Sequence, residues 1–127
     1  MAATDSDRNR SARCPRAGGG QLSLRRFGVL FPVLEASLGF IDGAPAGAAG
    51  VSVYGGLASF LADSTLPPWR GRGVHRALIR ARLRFAAARG YDLAAGSVQP
   101  GSISERNYPV AGFRPAYTKL IFRRELK

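Results

Sequence analysis

The sequence predicts an α+β domain built on a mixed β-sheet, with an antiparallel meander followed by a βαβ crossover. Three observations point that way. Apolar runs rich in strand formers at 38–41, 48–53 and 57–66 are separated by the turn signals Asp42-Gly43 and Gly55-Gly56. From Val74 the period changes: Val74, Ala77, Leu78, Ala81 and Phe85 fall three to four apart, the spacing of one helix face. Another strand-like run, 91–98, follows, and such a unit closes right-handed with its two strands parallel.

Taken in order, residues 1–26 hold six arginines, Asp5, Asp7, Pro15 and Gly18-Gly19-Gly20 without apolar periodicity, and are expected to form a disordered basic tail. A basic arm on nucleic acid is the alternative, though no aromatic residue is interleaved to stack on bases. Residues 27–34 suit a short strand or a helix remnant, and the pattern does not choose. After the meander the helix is expected over 74–89, with Gly90 just past its end. Arg72, Arg76, Arg80 and Arg84 recur every four residues on a second face, where Arg80 and Arg84 read as solvated. Pro100-Gly101 turns the chain. Ser102 and Glu105 fit a capping box that opens a short helix to about Ala111, ended by Gly112. Pro109 lacks the N–H that would bond the Glu105 carbonyl, so this helix is expected to end or kink near Tyr108. Phe113, Tyr117, Leu120, Ile121 and Phe122 mark a final strand or strand pair over 113–125.

At 127 residues and 46% hydrophobic content, one globular domain over 27–127 accounts for the chain. The formal charge is +11, from 17 Arg and 2 Lys against 8 acids. Seven arginines lie between Arg70 and Arg89 with no acid among them, which calls for an anionic partner: a phosphorylated cofactor, an acidic substrate or nucleic acid. Cys14 is the single cysteine and His75 the single histidine, so neither a disulfide within the chain, a metal centre nor a Ser-His-Asp triad is expected. The first residues lack the apolar core of a signal peptide, and the apolar run 27–41 is broken by Pro32 and Glu35. A cytoplasmic protein without a membrane partner is the expectation.

The chemistry concentrates at 66–78. Pro67-Pro68 stops a strand, a turn with two glycines follows, and a helix begins after Gly73. The first turn of a helix carries backbone N–H groups without partners and partial positive charge. Glycines let a phosphate approach those donors, and Arg70, Arg72 and Arg76 add full charges around the opening. The stretch therefore reads as a pyrophosphate cradle or, more plainly, as a strand–turn–helix junction with a basic surface. Neither the P-loop nor the Gly-x-Gly-x-x-Gly dinucleotide pattern is present.

Arg70-Gly71-Arg72-Gly73-Val74-His75 resembles the acyl-CoA loop of the GNAT superfamily of N-acyltransferases, Gln/Arg-x-x-Gly-x-Gly/Ala, with His75 departing at the last position. Leu66-Pro67-Pro68-Trp69 resembles the strand end before that loop. Tyr108, four positions before Gly112-Phe113, resembles the family's closing pattern; Ser104 stands where a small residue is usual and Gly101 where Asn is frequent. The likeness covers 38–127.

The resemblance implies a GNAT-like fold and an acetyl-CoA-dependent N-acetyltransferase that passes the acetyl group directly to a primary amine, without a metal. Leu66, Arg70, Gly71, Arg72, Gly73, Val74, His75, Arg76 and Ser104 would bind acetyl-CoA, with the backbone N–H near Leu66 meeting the thioester oxygen. Tyr108 would be the general acid, and Asp63 would relay a proton from the amine. The plainer readings are a packed aromatic for Tyr108 and an arginine partner for Asp63. Ser64, Thr65 and Ser97 could line the tunnel, Trp69 would lie over the loop, and the His75 side chain would face solvent. The family opens with a strand and two helices that 1–37 are too short and polar to supply, so the N-terminal part is expected to be incomplete. A CoA-binding remnant without activity and a basic nucleic-acid-binding protein remain alternatives, nucleic acid being the less expected partner; a homodimer stays open.

Overall fold

The computed structural model describes residues 12–13, 22–28 and 34–126. Six strands form one sheet in sequential order: β1 (Ala12–Arg13), β2 (Leu22–Gly28), β3 (Leu34–Ile41), β4 (Ala44–Tyr54), β5 (Leu57–Thr65) and β6 (Leu93–Gly96). The first five are antiparallel, and β6 joins β5 in parallel through the helix α1 (Val74–Ala88). A second helix, α2 (Ile103–Val110), lies against α1. The meander and crossover expected from the sequence are present.

Binary patterning builds the core. Leu22, Leu24, Ile41, Ala46 and Ala49 meet Val74, Ala77 and Leu78 of α1 at one end of the sheet. Val51, Val53, Ala58 and Phe60 meet Ile79, Phe85, Ala86 and Tyr108 at the other. β2 corrects the tail expected over 1–26: Leu22 and Leu24 alternate with Ser23 and Arg25 and turn inward, so the strand is paired with β3 from Leu22 onward. The first eleven residues and 14–21 lie outside the described residues.

Both helix ends are hydrogen-bonded as their sequences suggest. Gly90 N–H donates to Ala87 O and Tyr91 N–H to Ala86 O, closing α1 in a Schellman motif. The Ser102 hydroxyl accepts from Glu105 N–H, and the Glu105 carboxylate reaches Gly101 N–H instead of Ser102 N–H, which donates to Gln99 O. Pro109 does not stop α2 at Tyr108. It sits in the last turn, where Gly112 N–H to Pro109 O and Phe113 N–H to Tyr108 O already replace the helical pattern. The strand expected over 91–98 shortens to Leu93–Gly96. The final strand expected over 113–125 is not formed: those residues are in neither helix nor sheet.

One irregularity positions the site. Between Gly50↔Leu61 and Ala48↔Ser64, two steps along β4 match three along β5. The extra residue is a bulge, and Ala62 there has φ 56°, left-handed and uncommon for alanine. Before the bulge Ala58 and Phe60 face the helices; after it the phase is reversed, and Asp63 rather than Ala62 or Ser64 points at α1.

Candidate functional site

Asp63 stands at the centre. Arg82 of α1, completely buried, grips it with a two-pronged contact, Nη1 to Oδ1 at 2.6 Å and Nη2 to Oδ2 at 2.8 Å. The same guanidinium donates to Gly50 O at 2.9 Å and Leu78 O at 3.2 Å, and it lies 4.3 Å from the centre of the Phe60 ring. A buried arginine is tolerable here because its donors have acceptors. The Gly50 carbonyl belongs to the last β4 residue paired before the bulge.

Three further groups converge. His75 Nε2 lies 2.7 Å from Asp63 Oδ2, and His75 Nδ1 lies 2.9 Å from Asn107 Nδ2. Arg76 Nε donates to Asn107 Oδ1 at 3.0 Å, which fixes the amide with its NH2 toward the imidazole. Nδ1 therefore accepts, and the proton sits on Nε2, directed at the carboxylate; the tautomer follows from the network. The Tyr108 hydroxyl donates to Asp63 Oδ2 at 3.3 Å. Phe113, three positions past the end of α2, packs its ring 4.8 Å from that of Tyr108 and holds it over the sheet.

These contacts set the ionisation. Burial alone would raise the Asp63 carboxyl, but the hydrogen bonds from His75 and Arg82, with the charge of Arg82, outweigh it and hold Asp63 below its ordinary value of 3.8. Burial, then the neighbouring Asp63 charge, pushes the Tyr108 phenol up to about 12. At neutral pH Asp63 is a carboxylate with Oδ2 shared among three donors. It is a weak base and a strong anchor, which favours the arginine-partner reading over the expected proton relay.

β5 and β6 pair only from Leu57↔Leu93 to Phe60↔Gly96. Beyond that they splay, and a cavity of about 380 Å³ opens between Leu61, Ala62 and Asp63 on one side and Ser97, Val98 and Tyr108 on the other. A second cavity of about 520 Å³ runs from Asp63 past Ser64 and Thr65 to Arg70, Gly71, Gly73 and Arg76. Asp63 and Ser104 border both, so the two form one groove. Gly96 is placed by close approach: a Cβ there would stand 2.6 Å from the Tyr108 hydroxyl oxygen.

At the far end the helix N-terminus is open. Gly73 is the N-cap of α1 at φ 79°, and no side chain caps it. Arg70 donates from Nε to Thr65 O, Arg72 stacks 5.1 Å from the Trp69 ring, and Trp69 packs against the core beneath. Arg70 and Arg76 line the cavity here, and both are exposed, as is Arg72 beside Trp69. Two expectations are corrected. The Leu66 N–H is already donated to Ala46 O at 2.8 Å, so it does not face the groove as a free donor. The His75 side chain does not face solvent; it is turned inward to Asp63 and Asn107.

Arg82, Asn107, Gly96 and the bulge were not singled out in the sequence. Arg82 had a signal: it falls at the Leu78 plus four position, inside the apolar stripe rather than on the basic face. Among the described residues no cluster of metal-ligating side chains occurs, and no helix is long and apolar enough to cross a membrane.

No protein-family model matches the sequence, and no curated protein does. Solved structures do. The aminoglycoside N-acetyltransferase AAC(6')-Iy in complex with CoA superposes with TM-score 0.70 at 18% identity, over 85% of this chain and 97% of that one. The same enzyme with a bisubstrate analogue of CoA and acetylneamine gives 0.63 at 24%, over 76% and 72%. An aminoglycoside acetyltransferase from an uncultured soil metagenomic sample, bound to sisomicin, gives 0.64 at 12%, over 84% and 97%. At such identities the likeness is one of fold, and it is the fold that the resemblance in the acyl-CoA loop implied: the chain has the architecture of these acetyltransferases.

Proposed function

We propose that this chain is an acetyl-CoA-dependent N-acetyltransferase that hands the acetyl group directly to a primary amine. The observation that carries the reading is the continuous groove, which joins an uncapped, arginine-flanked helix N-terminus to the splay between β5 and β6 at Tyr108. The amides at the start of α1, from Gly73 to Arg76, with Arg70 and Arg72, suit a pyrophosphate. The pantetheine arm would lie along Ser64 and Thr65 and past Ser104. Beyond Phe60 the β5 backbone has no β6 partner. Its outward groups at 61–63 are the candidates to hold the pantetheine amides and the thioester oxygen, in place of the Leu66 N–H.

In this reading the neutral amine attacks the thioester carbonyl, the C–S bond of the tetrahedral intermediate breaks as Tyr108 protonates the departing CoA sulfur, and the proton shed by the acylated nitrogen passes through water to restore the phenol. A phenol near 12 gives up its proton to a thiol of ordinary pKa about 8.5 only in concert with C–S cleavage. Asp63 accepts from that phenol and, held below its ordinary value, is too weak a base to act in its stead. With Asp63 too weak a base to strip the ammonium, acetyl transfer should rise with pH along the acceptor's own ionisation; a limb that stays put when acceptors of different pKa are compared would assign the step to the protein.

Calorimetry with acetyl-CoA, followed by thiol release over a panel of amines, tests the assignment. CoA binding with thiol release that slows about 10²-fold or more in Tyr108→Phe, at little cost in CoA affinity, is the expected result. CoA binding without turnover would identify a remnant, and absence of binding would remove the reading altogether.

A further inference from the structure

The two ends of the groove differ in charge. Arg70 and Arg76 line the end at Gly73. The end at Tyr108 is neutral: its walls are Phe60, Leu61, Ala62 and Val98, with Ser97 and Gln99 as polar groups. Asp63 is the one charged residue that borders it, and that carboxylate is paired with both terminal nitrogens of Arg82.

The other described acids are placed elsewhere, and none of them borders either cavity. Glu35 faces Arg26 and Arg89 at the C-terminal end of α1. Asp42 sits in the turn between β3 and β4, and Asp92 precedes β6 at the end away from the splay. Glu105 turns its carboxylate back to Gly101 N–H, and Glu125 pairs with Arg123. Cations flank the Tyr108 end along the chain. Arg106, two positions before Tyr108, is exposed, and so is Arg114, next to the Phe113 ring that packs on Tyr108 and Phe60.

The attacking amine enters this end neutral. A second ammonium on the same molecule would leave water with its charge and find no uncompensated carboxylate among the described residues, which is the costly way to bury an ion. An anion is treated differently. The formal charge of the chain is +11, and the phosphate groups of CoA carry roughly four negative charges, so the field stays positive with the cofactor in place.

Resting on the acetyltransferase reading, we propose that the acceptor is a small amine whose body carries an anionic group, a carboxylate or a phosphate, and no second positive charge. The field draws such a molecule to the groove, and Ser97 and Gln99 are placed to orient it. The cavity of about 380 Å³, shared with the thioester, limits its size.

Ethylenediamine, ethanolamine, β-alanine and O-phosphoethanolamine place an ammonium, a hydroxyl, a carboxylate or a phosphate on the same short spacer. Thiol release from acetyl-CoA by the full chain is compared across them, with kcat/KM taken per amino group and per fraction unprotonated. The better of the two anionic members should exceed ethanolamine about two- to fivefold and ethylenediamine about tenfold or more, and its lead should shrink as salt rises. Which of the two leads tells carboxylate from phosphate. Gln99→Glu, which adds an acid to the cavity wall, should raise the ratio of ethylenediamine to β-alanine about fivefold at unchanged CoA affinity. Ethylenediamine level with or ahead of both anions overturns the proposal. So does a flat series, or a ratio that Gln99→Glu leaves unmoved, which would put the acceptor elsewhere. Silence over these four and the wider amine panel removes the acetyltransferase reading itself, and the proposal with it; turnover with the wrong preference removes the proposal alone.

Discussion

Arg82 is the residue on which most others lean. Its guanidinium is wholly buried and serves the Asp63 carboxylate and the Gly50 and Leu78 carbonyls at once. Removing it leaves a buried carboxylate without its charged partner. Arg82→Met should therefore cost about 3–5 kcal/mol in chemical denaturation, and Arg82→Lys should recover little, because an ammonium cannot span the same acceptors. The sign of the Asp63 shift sets the pH window. Its folded pKa lies below the ordinary 3.8, so the stabilisation is complete above that value and is lost as pH falls beneath it. Asp63→Asn should flatten that acid limb in unfolding curves taken against pH. Tyr108 works at the other end: its phenol is neutral in the folded state up to about 12, so its contribution is whole below 10 and fades as pH climbs through 12. Subtracting the alkaline absorbance titration of Tyr108→Phe from that of the unaltered chain should isolate one phenolate forming near 12. Tyr108 and Asp63 were legible in the sequence because a phenol and a lone strand acid are few in kind. The inward turn of His75 was not, since nothing local says that Asn107, thirty-two positions away, waits for it.

The bulge in β5 and the short β6 govern the elements. Without the extra residue at Ala62, the alternation begun at Ala58 and Phe60 would send Asp63 away from α1. Ala62 has φ 56°, so Ala62→Gly should be neutral or slightly stabilising, while Ala62→Val should lose about 1–2 kcal/mol in thermal or chemical unfolding, since a β-branched side chain is poorly housed there. Gly96 controls the other wall. A methyl group at that position would meet the Tyr108 ring and hydroxyl at 2.6–2.8 Å, so Gly96→Ala should displace the phenol and bring its titration back toward 10. Turns, helix limits and caps were readable because they are written in neighbouring residues: Asp42-Gly43, Gly55-Gly56, Gly90, and Ser102 with Glu105. A bulge is a property of two strands at once, and the single chain of letters 57–66 looks like an uninterrupted strand.

At the level of the whole molecule, the +11 charge and the arginines at the mouth of the groove make an attractive field for a polyanion. If CoA is that polyanion, its association should slow as salt rises, and Arg70→Ala with Arg72→Ala should lower the rate at low salt and blunt the dependence, read by stopped-flow fluorescence of Trp69. The domain's class, its sheet order from 34 onward and its crossover were legible, because periodicity and connection rules determine them. Two strands were misjudged for opposite reasons. Leu22–Gly28 is polar enough to pass for tail, yet its two inward leucines suffice once β3 lies beside it. The 113–125 run has the letters of a strand but pairs with no strand among the described residues. The knot at Asp63 ties β5, α1 and α2 with the same hydrogen bonds that shape the groove. Purifying pressure for mere solubility would therefore preserve Asp63, Arg82 and His75 in a descendant that had stopped working, and an intact-looking constellation could outlive its reaction by a long evolutionary interval.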